Sequence, residues 1–74
     1  MEERVRAIMA DIFMMDVSNI GDDASMNTIE RWDSLAQIDL IAALEEEFGV
    51  RFEVEEFELM TSFGEVVTTL SAKL

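Results

Sequence analysis

The stretch from Asp33 to Gly49 restricts this chain most, because it reads as one amphipathic helix whose two ends are both written in the sequence. Asp33 is a good N-cap residue, since its carboxylate can accept hydrogen bonds from first-turn N–H groups that lack a helical partner. Ser34 is then the first helical residue and Phe48 the last. Gly49 follows, a residue that tolerates the left-handed conformation common after a helix end. Leu40, Ile41, Leu44 and Phe48 cover a broad apolar arc, and Leu44 and Phe48 are assigned to the core with it. Leu35, Ile38, Asp39, Ala42, Glu45 and Glu46 form a second face, mixed apolar and acidic, beside the serine. That face is expected to meet solvent or a partner. The Ser34 hydroxyl points outward at the positive end of the helix dipole, where an attached phosphate is stabilised by about 0.3–1 kcal/mol.

The other elements can be placed around this one. Val5, Ile8, Met9, Ile12 and Phe13 repeat at i, i+3, i+4, i+7 and i+8, which predicts a helix from about Glu2 to Met14. Methionine at such spacing is core filling more often than a ligand set. The polar and small residues between Asp16 and Trp32 predict a long connection, with Val17, Ile20, Met26 and Ile29 dipping into the core to pin it. A calcium loop counted from Asp16 is excluded: Ile20 at its fifth position offers no side-chain oxygen, and Asn27 stands at the twelfth, where a bidentate glutamate is needed. Val50, Phe52 and Val54 alternate with Arg51 and Glu53, but no second strand exists to pair with them. An extended connection pressing those three side chains inward is expected. A short helix from about Glu55 to Leu59 or Met60 follows, with Phe57 and Met60 at i and i+3. Ser62 and Glu65 have capping-box spacing and open a last helix marked by Phe63, Val66, Val67, Leu70 and Leu74. The expected fold is all-α, a four-helix bundle with a long first loop and a short third helix, forming a single domain over residues 1–74.

Composition narrows the functions. The chain has 74 residues, half of them hydrophobic, so one small core can form, though a domain of this size buries only about 60% of its unfolded surface. It has no cysteine and no histidine. Thiolate metal sites, disulfides and the commonest general base are therefore missing, and neither a catalytic residue nor a metal site is expected. The formal net charge of −12 repels nucleic acid and anionic lipid and attracts basic protein surfaces. No apolar run is long enough to span a membrane, and Met1-Glu2-Glu3 is acidic where a secretory signal is basic. A cytoplasmic monomer is expected.

The tripeptide Asp33-Ser34-Leu35, continued by Ile38, Asp39, Leu40, Leu44, Glu45, Glu46, Glu47 and Phe48, resembles the acyl carrier protein family over nearly the whole chain. The resemblance implies that a phosphopantetheinyl transferase attaches 4'-phosphopantetheine covalently to Ser34, with Asp33 and Leu35 completing the motif. It also implies that Ile38, Asp39, Ala42, Glu45 and Glu46, with Leu35, meet basic docking surfaces on partners. These partners would be an acyl-loading ligase or transferase and acyl-using synthases of fatty-acid, lipid or polyketide-type biosynthesis. An aminoacyl or D-alanyl carrier shares this fold, and an acidic interaction module without a prosthetic group is the alternative from another class. Two departures from the pattern of fatty-acid synthesis are Arg31-Trp32 before the motif and Ala42 within the helix. Trp32 has two readings, a sensor of cargo beside the attachment site or a plug in the core.

Overall fold

In the computed structural model, which describes residues 1–74, Val5, Met9 and Phe13 lie fully buried along one side of α1 (Glu2–Phe13). The helix ends where Met14 turns left-handed, with φ 56°. A single 3-10 turn, Val17–Asn19, follows; then come α2 (Ser34–Phe48), α3 (Val54–Leu59) and α4 (Phe63–Ser71). α1 packs on α2 and on α4, and α3 packs on α4. Leu40, Ile41 and Leu44 of α2, Met60 after α3, and Phe63, Val66 and Leu70 of α4 close the same core, with Phe48 half-buried at its edge. The structure has four helices and no strands, as the periodicities predict.

The long connection between α1 and α2 is held from both sides. Ile20, Ala24 and Ile29 are buried, and Met26 packs partly against the core. Its backbone also clips to the α3–α4 junction: the Met26 N–H donates to the Thr61 carbonyl at 3.0 Å, and the Phe63 N–H donates to the Ala24 carbonyl at 2.8 Å. These bonds satisfy backbone groups that an inward-facing loop cannot leave bare. The loop thereby becomes a rigid platform leading to Asp33.

Three expected anchors fall outside the core. Val17 is exposed, because the Asp16 carboxylate accepts from both the N–H and the hydroxyl of Ser18 and turns the chain into the 3-10 turn. Val54 is exposed because α3 starts there, one residue earlier than predicted. The Glu56 carboxylate accepts the Glu53 N–H at 2.7 Å in a capping box, and helical geometry then replaces the alternation seen at Val50 and Phe52. Leu74 is exposed because α4 ends at Ser71 and Lys73 turns back, 2.8 Å from Glu56 and above the Phe52 ring.

Candidate functional site

The N-terminus of α2 is built as its local sequence dictates. Asp33 has extended backbone and its Oδ1 accepts the Ala36 N–H at 2.9 Å; Gly49 closes the far end at φ 65°. Ser34 is exposed, and its hydroxyl takes part in no hydrogen bond within the chain. The N–H groups of Ser34 and Leu35 are likewise left without a helical partner, as first-turn donors are. An exposed hydroxyl beside free N–H donors suits a phosphodiester anchor, because the donors and the helix dipole both favour negative charge there.

Trp32 does not share this exposure. It is only 2% exposed, with its ring centroid 5.1 Å from that of Phe13 and its indole N–H donating to Gln37 Oε1 at 2.7 Å. Of the two readings of Trp32, the structure places it in the core. Gln37 does not stand out in the sequence, since a polar residue on a helix ordinarily reads as surface. It is nonetheless buried at 8% exposure. Its Nε2 donates to the carbonyls of Phe57 at 3.0 Å and Met60 at 2.9 Å, so one side chain ties α2 to the end of α3. The only signal of this role in the sequence is its position three residues after Ser34 and between Ala36 and Ile38, inside an otherwise apolar run.

Between α2 and α3, Ser34 borders an open groove of about 310 Å³. Met26, Ile38 and Phe57 give it apolar walls, and Gln37, Glu58 and Thr61 complete its lining. Sequence reasoning places Ile38 on the outer face and does not bring Met26 and Phe57 to the serine. Their meeting depends on the clip between the first loop and Thr61.

The mixed face of α2 is exposed as expected, with one internal distinction. Leu35 is 75% and Ile38 57% exposed, and Asp39, Ala42 and Glu46 are exposed beside them. Asp39 and Glu46 take part in no ion pair. Glu45 is half-buried, and its Oε2 accepts the Phe52 N–H at 2.9 Å, so its carboxylate holds the chain that leaves α2. Glu47 pairs with Arg4, whose guanidinium stacks 4.6 Å over the Phe48 ring. No helix is long and apolar enough to cross a membrane.

Known proteins resemble this chain over nearly its whole length. A family model described as a phosphopantetheine attachment site matches residues 3–70. The acyl carrier protein of Thermosynechococcus vestitus is 38% identical over 72 residues, covering 97% of this chain and 89% of the relative. The polyketide-8 synthase acyl carrier protein 2 of Streptomyces avermitilis is 33% identical over 73 residues, covering 99% and 84%. The solution structure of a holo acyl carrier protein from Geobacter metallireducens superposes with a TM-score of 0.85 at 25% identity, covering 97% of this chain and 83% of that one.

Proposed function

Since the chain belongs to the acyl carrier protein family, we propose that Ser34 is the residue that bears its 4'-phosphopantetheine arm. The arm, when attached, supplies a thiol that holds acyl groups as thioesters. The observation that carries this reading is the free, exposed Ser34 hydroxyl at the capped start of α2, beside the free N–H groups of Ser34 and Leu35. Asp33 contributes by fixing the first turn, so that the hydroxyl leaves the surface in one direction. Leu35 and Ile38 flank it with exposed apolar surface that an enzyme reaching for the serine can cover. The chain acts as the substrate of other enzymes and supplies no catalytic group of its own.

Partners are a phosphopantetheinyl transferase and enzymes that load or use acyl groups. We assign their docking to Leu35, Ile38, Asp39, Ala42 and Glu46, with Glu45 at its edge. Asp39 and Glu46 are free to meet arginine and lysine, and the apolar side chains between them supply contact area. Charge of this kind governs encounter rate and specificity more than final affinity. The intact mass of the protein isolated from its native cell tests the whole reading. A mass higher by one phosphopantetheine plus an acyl group, mapped to Ser34, is expected; a bare polypeptide would contradict it.

A further inference from the structure

This inference rests on the carrier reading of Ser34 and concerns what its arm can hold. The groove beside Ser34 is open to solvent, and on its inner side Gln37 stands in the lining, nearly buried and with its amide almost fully used. Gln37 Oε1 accepts the Trp32 indole N–H, and both Nε2 hydrogens go to the carbonyls of Phe57 and Met60. Behind this strut the interior is filled: Met9, Phe13, Leu40, Leu44 and Met60 have no exposure at all. An acyl chain passing from the groove into the interior would part the strut. It would strand an indole N–H, the Gln37 amide and the Met60 carbonyl, since the Phe57 carbonyl keeps the Met60 N–H, and the cost of those bare polar groups would offset the burial of the chain's own apolar surface.

We propose that Gln37, held in place by Trp32, is a specificity-determining residue that closes the interior of this carrier to acyl chains. The carrier then takes short acyl cargo. The first carbons of that cargo rest in the groove between Met26, Ile38 and Phe57, and any longer chain stays in water. The groove's occupant is the arm's own acyl end, because Ser34 itself borders the groove and the tether keeps that end close by.

The test loads the protein from acetyl-, octanoyl- and myristoyl-coenzyme A with a broad-specificity transferase, checks by intact mass that one arm is present on Ser34, and then measures thermal unfolding and tryptophan emission. The wild-type melting temperatures are expected to agree within about 2 °C across the three cargoes, with unchanged Trp32 emission. In Gln37→Met, which keeps the bulk but removes the amide, the melting temperature should climb with chain length by about 4 °C or more. Trp32→Phe keeps an aromatic ring against Phe13 and removes the N–H that orients Gln37 together with the second ring of the indole; its melting temperature should respond in the same direction, and it carries the comparison if Gln37→Met does not fold. A wild-type melting temperature that rises with chain length would overturn the proposal while leaving the carrier reading intact, as would variants as indifferent to cargo as the wild type. Failure of any arm to attach at Ser34 would overturn both.

Discussion

The indole N–H of Trp32 and the side-chain carbonyl of Gln37 meet at 2.7 Å in the core, directly behind the residue that faces solvent at the start of α2. This bond is the first of three made by the Gln37 amide, so the two residues are expected to be coupled in stability. Trp32→Phe leaves Gln37 Oε1 without a partner and should cost about 1–3 kcal/mol. Gln37→Leu strands the indole N–H and loses both bonds to α3, and should cost more. Urea unfolding of both single variants and the double variant measures the coupling. A fully additive cycle would show that the bond contributes nothing.

Loading should be confined to one serine. With coenzyme A, magnesium and a phosphopantetheinyl transferase, the protein is expected to gain one phosphopantetheine, and Ser34→Ala to gain none. Asp33→Asn keeps a competent N-cap, so its folding should change by no more than a few tenths of a kcal/mol while loading slows. Modification mapped to Ser18, Ser25, Ser62 or Ser71 would move the attachment site elsewhere.

The carboxylates of α2 should divide into two groups. Asp39→Lys and Glu46→Lys are expected to slow transferase loading at low salt and much less at high salt, with stability changed by no more than about 0.5 kcal/mol. Glu45→Lys is different, because it removes the acceptor of the Phe52 N–H and should cost about 1–3 kcal/mol. Glu2→Lys, on α1, is the control. If it slows loading as much as Asp39→Lys, the α2 face is not where the transferase docks.

Acid should remove the contribution of two hydrogen-bonded carboxylates. Glu56 is held below the ordinary carboxyl value of 4.5, first by the Glu53 N–H and then by Lys73; Asp16 is held below 3.8 by the N–H and hydroxyl of Ser18. Groups with lowered folded pKa values stabilise the fold above their unfolded values, and that contribution is lost as pH falls through the folded ones. Melting temperature is therefore expected to fall as pH drops below the ordinary carboxyl values of 4.5 and 3.8. Glu56→Gln should flatten the falling limb; an unchanged limb would remove Glu56 from the account.

Two helix ends test the cost of left-handed backbone. A Cβ at Gly49 meets nothing within 4 Å, yet its φ of 65° should make Gly49→Ala cost about 1–2 kcal/mol. Met14 already bears that strain at φ 56°. Met14→Gly should recover part of it, offset by about 0.4–1 kcal/mol of added unfolded-state freedom, and so leave stability equal or higher by up to about 1 kcal/mol. A loss of stability in Met14→Gly would mean that its contact with the Arg31 guanidinium, 3.5 Å from the sulfur, outweighs the strain.

What the sequence determined by itself is what short-range chemistry decides. Asp33 and Gly49 bound α2 because a cap and a left-handed turn depend on a handful of adjacent residues. The Ser62 hydroxyl accepts the Glu65 N–H at 3.2 Å for the same reason. The apolar periods of α1, α2 and α4 likewise determine which face turns inward. Only the tertiary structure decided the rest. Gln37 is buried because the end of α3 and the Trp32 indole arrive around it, and a helix period carries no information about partners 5 to 23 positions away. Glu45 leaves the docking face for the Phe52 N–H, and Val17, Val54 and Leu74 lose their place in the core, because local caps and turns redirect the chain at those points. The groove at Ser34 exists because the first loop is clipped to Thr61, which brings Met26 and Phe57 to a serine that neither one neighbours in sequence.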